Sequence, residues 1–123
     1  KRRTKIGVRT LNWLMDLTQI KCVPCQGGES TLSQSEIKKY LEDLKDGWNF
    51  ETLPDKLVKE FEFKDFRQAL NFTNKLADLA EEEGHHPNIY IHSYKKVKLE
   101  LWTHKIGGLH QNDFIMAAKI NNL

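Results

Sequence analysis

The sequence predicts an α+β fold, in which a four-stranded antiparallel sheet carries helices on one face and the elements follow the order α-β-β-α-β-β-α. Three observations lead to this prediction. Apolar residues recur at helical spacing in two long segments and again near the end of the chain. Short segments between them alternate apolar and polar residues, as strands do. Such alternation is typical of an antiparallel sheet that is covered on one side only.

The first helix is predicted to begin after Ser33. Ser33 and Glu36 fit a capping box, in which the hydroxyl accepts a hydrogen bond from a backbone N–H and the carboxylate reaches back to the cap. Gly47 is placed to end this helix. Two strands are expected next, at Trp48–Glu51 and at Leu57–Phe63. The KEFEF stretch of the second puts its phenylalanines on one face and its glutamates on the other.

The strongest helical signal follows Asp65, a suitable N-cap residue. Its apolar positions form a continuous stripe of Phe66, Ala69, Leu70, Thr73, Leu76, Ala77 and Ala80. Gly84 is placed for a left-handed C-cap, and Pro87 prevents the helix from continuing. We therefore expect one long helix that ends in the sequence GHHPN.

Two more strands, Ile89–Tyr94 and Val97–Thr103, precede a glycine loop and a last helix from about Asn112. In the second of these strands Val97, Leu99 and Leu101 alternate with Lys98, Glu100 and Trp102. One face of this strand is therefore expected to be buried and the other to be more polar. The residues of the last helix that are expected to face inward are Phe114, Ile115, Ala118 and Leu123.

Charge is unevenly distributed along the chain. The first ten residues carry five of the 19 Lys and Arg residues and no acid, which leaves 14 against 17 Asp and Glu in the rest. This mildly acidic body argues against a nucleic-acid surface as the main function, and no apolar run has the length of a membrane span. We expect an irregular basic leader over residues 1–31, with a short helix around Leu11–Leu17, and a single domain over residues 32–123. The expected location is the cytoplasm, or an organelle if the basic start is a targeting remnant.

Cys22 and Cys25 form a CVPC motif within the leader. A structural zinc site usually needs a second Cys or His pair at comparable spacing, and the sequence has no second cysteine pair. A thioredoxin-like site would need a βαβ context, whereas this pair precedes two glycines. Two free thiols are the favoured interpretation, and a metal or redox function is the alternative.

The last two strands bring three histidines together. If they form a hairpin that turns near Lys95, opposed residues have numbers that add to about 190, and His86 faces His104. A turn centred between Tyr94 and Lys95 gives a sum of about 189 and puts His85 opposite His104. Directly opposed Cβ atoms lie roughly 4.5–5.5 Å apart. Either register places the three imidazoles at one end of the sheet.

Acid–base catalysis suits these imidazoles better than metal binding or a chance surface cluster. Adjacent residues in an extended segment point apart, so His85 and His86 are poor joint ligands. The unperturbed pKa of histidine, about 6.5, lets one ring donate a proton while another accepts one. Two carboxylates lie nearby in sequence, Glu81 in the long helix and Asp113 in the last helix. Glu81 is also explained as a solvated helix residue. Asp113 is also explained as a carboxylate that the helix dipole favours in the first turn.

The pattern resembles the signature of the pterin-4a-carbinolamine dehydratases. It reads Glu81, three residues, HHP at 85–87, six residues, Tyr94, nine residues, His104, eight residues and Asp113. The segments KEFEFKDFRQALNF and KVKLELWTHKIGGLHQNDFIMAAKI resemble core segments of that family. The resemblance covers about residues 20–121, including the CVPC leader and the GW segment of microbial-type members.

The resemblance implies dehydration of 4a-hydroxytetrahydropterin to quinonoid dihydropterin, the step that recycles the tetrahydrobiopterin used by aromatic amino-acid hydroxylases. It also implies the predicted fold and a homodimer or homotetramer. Loss of water from C4a needs a proton on the leaving hydroxyl and removal of the N5 proton, which two histidines can perform. The chemistry requires no metal and no redox cofactor.

Carried over by position, His85 and His104 are the catalytic acid–base pair, with the direction of each transfer left open. His86 binds or orients the pterin beside them. Glu81 is expected to bond the pterin or hold a histidine, and Asp113 to orient His104 and support its charged form. Animal members often have Asp where this chain has Gly84, so the site has one carboxylate fewer.

Two other functions remain open at this point. Animal relatives also act as dimerisation cofactors for a homeodomain transcription factor, so a protein-binding role is one alternative. A dehydratase-like role on another pterin, such as in molybdopterin metabolism, is the other. The presence of Glu81, His85, His86, His104 and Asp113 together favours chemistry, because a scaffold has no need of these residues.

Overall fold

Four strands form one antiparallel sheet in the computed structural model, which describes residues 16–24, 27–28, 30–44 and 47–123. The strands are β1 (Asn49–Glu51), β2 (Lys56–Glu62), β3 (Asn88–His92) and β4 (Lys96–Leu101). The helices are α1 (Gln34–Leu44), α2 (Phe66–Glu83) and α3 (Gln111–Ile120). In space the strands follow the order β1-β2-β4-β3. The predicted fold class and element order are confirmed.

Local capping chemistry fixes where the first two helices begin. The backbone N–H of Ser33 donates to Glu36 at 2.9 Å, and the Ser33 hydroxyl accepts from the Glu36 N–H at 3.3 Å. In α2, Asp65 accepts from the backbone N–H of Gln68 at 2.9 Å. Gly84 ends α2 with a left-handed φ of 66°. Both predicted helix starts and the predicted glycine cap are therefore confirmed.

The apolar stripe predicted for α2 is only partly buried. Its buried members are Ala69, Leu76 and Ala80, whereas its exposed members are Phe66, Leu70 and Ala77. Phe72, which the stripe omitted, is buried instead and contacts the rings of Phe61 and Phe63 at centroid distances of 4.8 and 5.0 Å. Phe72 packs against Phe61 in β2 and against Phe63 just beyond the end of that strand. This packing sets the rotation of α2, so that Phe66, Leu70 and Ala77 face solvent.

The core lies between the sheet and the helices. Leu57, Val97, Leu99 and Leu101 are buried on the helix-covered face, as the alternation predicted. Nearly every residue of α3 is buried, including Phe114, Ile115 and Ala118. Leu123 is exposed, contrary to prediction, because it lies beyond the last turn of α3.

The hairpin between β3 and β4 turns earlier than the sequence predicted. Paired residues have numbers that add to 188, as in the last pair, Asn88 with Glu100. Ser93 and Tyr94 adopt left-handed φ values of 51° and 53° in the loop, which is centred on Tyr94. Neither predicted register is therefore correct.

The strand pairing also ends before it reaches the histidines. The predicted direct opposition of His104 to His86 or to His85 is wrong. Pro87 has no backbone N–H with which to extend the ladder. Thr103 pairs across its own loop instead. Both chain segments nevertheless leave the sheet at the same end.

Part of the predicted leader packs on the domain. A short 3-10 helix spans Leu17–Gln19, and Leu17 and Cys22 are buried in the core. The basic first ten residues, and most of the helix expected around Leu11–Leu17, lie outside the described residues. Among the described residues, no helix is long and apolar enough to cross a membrane.

Candidate active site

A cleft of about 390 Å³ opens at the end of the sheet where α2 leads into β3 and β4 leads towards α3. His85, His86 and His104 all line it, together with Trp102 and Asn112. The three imidazoles therefore meet in one cleft, although not through the hairpin register that the sequence predicted.

His85 is held by a buried carboxylate. Its Nε2 lies 2.6 Å from Oδ1 of Asp113, and the two side chains are 12% and 0% exposed. The second oxygen of Asp113 accepts from the Thr103 hydroxyl at 2.9 Å and from the backbone N–H of His110 at 3.0 Å. An ionised carboxylate accepts only, so Nε2 of His85 carries the hydrogen of this bond. Nδ1 is the nitrogen that remains for a substrate.

The start of α3 positions Asp113. His110 is the N-cap, and its Nδ1 accepts from the backbone N–H of Asn112 at 3.0 Å. Its own backbone N–H donates to Asp113, which completes a capping box and places a carboxylate at the positive end of the helix. The expectation that Asp113 orients His104 does not fit this arrangement. Asp113 is fully buried and bonded to His85, whereas His104 is exposed.

His86 is paired with a carboxylate on the surface. Its Nε2 lies 2.6 Å from Oε2 of Glu81, and the two side chains are 61% and 77% exposed. The adjacent rings of His85 and His86 thus bond different carboxylates. In the part of the chain that the structure describes, no group of three or more His, Cys, Asp or Glu side chains is arranged to hold a metal ion.

His104 is held by an aromatic ring. Its imidazole stacks on the indole of Trp102, with ring centroids 4.2 Å apart and an interplanar angle of 10°. Within the described residues, neither ring nitrogen of His104 has a hydrogen-bond partner. Both nitrogens are therefore open to a substrate or to water.

The leader supplies one wall of the cleft. Val23 lines it, and the Asn112 side chain bonds both the N–H of Val23 at 3.0 Å and its C=O at 2.6 Å. The backbone N–H of Cys22 donates to Glu83 at 2.9 Å. Lys119 bonds the other oxygen of Glu83 at 2.8 Å. These contacts tie the leader to the end of α2 and to α3.

Cys22 is a free, buried cysteine. Burial, followed by the nearby Glu83 carboxylate, raises the pKa of its thiol to about 12. The thiolate is the reactive form of cysteine, so this thiol is unreactive at neutral pH. Cys25, its partner in the CVPC motif, lies outside the described residues.

Comparison with known proteins identifies the family of this chain. A protein-family model described as pterin 4 alpha carbinolamine dehydratase matches residues 30–123. The chain belongs to the pterin-4a-carbinolamine dehydratase family.

Relatives of this dehydratase-family chain occur in bacteria and plants. A putative pterin-4-alpha-carbinolamine dehydratase of Rickettsia canadensis is 47% identical over 106 residues, covering 86% of this chain and 95% of that protein. Pterin-4-alpha-carbinolamine dehydratase 2, mitochondrial, of Arabidopsis thaliana is 42% identical over 119 residues, covering 95% of this chain and 64% of that protein.

Two solved structures share the fold. A transcriptional coactivator/pterin dehydratase from Brucella melitensis aligns with a TM-score of 0.69 and 34% identity, covering 76% of this chain and 97% of that one. A pterin dehydratase-like protein identified as a RuBisCO assembly factor in the alpha-carboxysome aligns with a TM-score of 0.54 and 28% identity. It covers 63% of this chain and 88% of that one.

Three contributors to the site escaped the sequence analysis of this family member. Thr103 and His110 bond Asp113, and Trp102 stacks on His104. The spacing of His110 and Asp113 matches a capping box, but histidine is not a preferred N-cap residue. Trp102 and His104 are two positions apart at a strand end, which places them on one side. That spacing was the available signal for the stack.

Proposed function

We propose that this chain dehydrates pterin-4a-carbinolamine to quinonoid dihydropterin and water. The observation that carries the proposal is the meeting of His85 and His104 in one cleft, with His85 fixed by the buried Asp113. Family membership supports the choice of substrate. A cleft of about 390 Å³ is also in the usual range for a small-molecule site, roughly 300–1,000 Å³.

The reaction needs two proton transfers. The C4a–O bond breaks as the hydroxyl receives a proton and leaves as water, and the N5–H proton is removed as the C4a=N5 bond forms. One histidine donates and the other accepts, and each transfer typically contributes about 10²–10⁴ in rate. His85 would act through Nδ1, because Nε2 is bonded to Asp113.

Each turnover leaves the two histidines with their protonation states exchanged, so both must be reset. His104 is exposed, so it can exchange protons directly with water. His85 is nearly buried and must exchange through the cleft. His86 lines the cleft and is bonded to Glu81 on the surface, which supports a role for this pair in binding or orienting the pterin.

The cellular role follows from the reaction. A dehydratase of this kind serves tetrahydrobiopterin recycling and acts on the product of aromatic amino-acid hydroxylases. We expect it in the cytoplasm, or in an organelle if the basic N-terminal segment belongs to a targeting signal. Fractionation of cells that express the full-length protein with a C-terminal tag separates these locations.

We also expect a homodimer or homotetramer. Phe66 and Leu70 are exposed on α2, which leaves apolar surface for another copy to cover. Light scattering coupled to gel filtration measures the assembly. A Leu70→Glu substitution should lower the measured mass if this surface is the interface.

The decisive experiment generates the 4a-carbinolamine in situ and follows its dehydration by absorbance. We expect the wild-type protein to exceed the uncatalysed rate and His85→Ala to lose at least about tenfold. His92→Ala is the matched control, because His92 is an exposed histidine paired with Glu60, and neither residue lines the cleft. A wild-type rate equal to the uncatalysed rate would reject the proposal and favour a protein-binding role.

A further inference from the structure

His104 differs from the other histidines in how its ring is held. The other four rings have hydrogen-bond partners, namely Asp113 for His85, Glu81 for His86, Glu60 for His92 and the backbone N–H of Asn112 for His110. The ring of His104 is placed by its contact with Trp102. A ring that takes part in proton transfer needs a defined orientation, since small displacements of a reacting group are costly.

The geometry of the stack provides that orientation. The centroid separation of 4.2 Å and the angle of 10° place the two ring planes almost parallel. The electron-rich face of an indole attracts a cation, so the contact persists when the imidazole is protonated. A hydrogen bond would occupy one imidazole nitrogen, whereas stacking leaves both nitrogens open.

Trp102 is itself supported by a charged pair in the sheet. The Lys56 ammonium lies 5.7 Å from the centroid of the Trp102 ring and 3.1 Å from Oε2 of Glu100. Both side chains of this pair are largely buried. Glu100 also accepts from the Tyr90 hydroxyl at 3.4 Å. Glu100 precedes Trp102 by two positions, so it lies on the same side of β4.

We propose that Trp102 is a positioning residue for His104. The Glu100–Lys56 pair, which lies on the sheet, holds the Trp102 ring in place. The inference rests on the proposed function, because it gives His104 a proton-transfer role. Trp102 thus does for His104 what Asp113 does for His85. It defines the plane of the ring without choosing which nitrogen reacts.

The kinetic test compares Trp102→Leu, which removes the aromatic face, with Trp102→Phe, which keeps one. We expect Trp102→Leu to lower kcat about tenfold, less than the roughly 10²–10⁴ that a whole proton transfer contributes, while KM changes little. Trp102→Phe should retain most of the rate. Introduced into a His104→Ala background, Trp102→Leu should cost less than about twofold, because the residue through which it acts is gone.

A second readout does not depend on the reaction. The indole ring current shifts the His104 ring protons upfield in the NMR spectrum, and His104→Gln identifies their signals. We expect the shift to disappear in Trp102→Leu, to persist in part in Trp102→Phe and to decrease in Lys56→Met. Circular dichroism verifies that each variant is folded. If the wild-type protein does not catalyse dehydration, these spectra still report whether the stack exists.

Three results would overturn the inference. The first is a His104 signal that does not move in folded Trp102→Leu. The second is an equal loss of rate in the wild-type and His104→Ala backgrounds, and the third is a loss confined to KM. Either kinetic result would mean that Trp102 acts on the substrate directly, since it also lines the cleft.

Discussion

The two sides of the cleft hold their histidines by different means. On one side His85 is nearly buried and bonded to a carboxylate that accepts two further hydrogen bonds. On the other side His104 is exposed and lies against an indole. A buried carboxylate selects the tautomer of a ring, whereas an aromatic face selects only its plane. The first arrangement suits a fixed proton-transfer group, and the second suits a group that exchanges protons with water.

The largest expected effect comes from changing the tautomer on the His85 side. In Asp113→Asn the amide can donate to Nε2 of His85, which moves the ring hydrogen to Nδ1 and removes the acceptor. We expect the dehydration rate to fall about 10²–10⁴-fold. Asp65→Asn is the control, because Asp65 caps α2 away from the cleft. Asp113→Asn with nearly full activity would show that the tautomer is not important.

Chemical rescue separates the two sides directly. We expect His104→Ala to lose at least about tenfold in rate and to unfold at the wild-type temperature, because the ring is exposed. Free imidazole should restore part of this rate. It should restore less in His85→Ala, since the ring of His85 is nearly buried. Equal rescue of both variants, measured at matched imidazole concentration, would remove the distinction between the two sides.

Much of this arrangement follows from short-range sequence signals. Asp65 and Gly84 fix the ends of α2 within a few residues, so the position of the histidine turn could be predicted. The hairpin register could not, because Ser93 and Tyr94 adopt left-handed φ values for which their residue types give no signal. The partner of Asp113 could not be predicted either. It depends on the path of residues 104–110 and on which side chain is buried, and both are set by the tertiary structure.

Stability at low pH tests two carboxylates that support the cleft. Glu83 bonds the leader to α3, and Glu100 bonds Lys56 beside Trp102. Burial alone would raise the pKa of both Glu83 and Glu100. Hydrogen bonds from the Cys22 N–H and from Lys119 nevertheless lower the pKa of Glu83 below its ordinary value. A hydrogen bond from Lys56 does the same for the pKa of Glu100. A lowered pKa stabilises the fold above the unfolded-state value, and this contribution is lost as pH falls through the folded-state value. We therefore expect urea-unfolding free energies to decline below about pH 4.5.

Glu83→Gln and Glu100→Gln make this prediction specific. Each should cost about 1–3 kcal/mol at pH 7, because glutamine has one acceptor oxygen where the carboxylate has two, so one of the two donors loses its hydrogen bond. Each should also decline less than the wild type between pH 7 and pH 3. Glu51→Gln is a control, since Glu51 is exposed. A variant whose decline with acid matches that of the wild type would show that its carboxylate does not contribute.

The smallest effect on the dehydration rate is expected for the exposed pair of Glu81 and His86. Glu81→Gln changes a pair that is mostly exposed to water, and exposed pairs contribute little. We expect kcat/KM to change by no more than about threefold, mainly through KM. A loss as large as that of Asp113→Asn would mean that His86, not His85, is the histidine that transfers a proton.

A crystal structure with a bound dihydropterin would show directly whether both histidines face one substrate. We expect a pterin in the cleft, with Nδ1 of His85 and a ring nitrogen of His104 each within about 3.5 Å of N5 or of the site of the 4a-hydroxyl. His104 should remain stacked on Trp102. A pterin bound elsewhere, or with C4a and N5 turned away from either ring, would contradict this expectation.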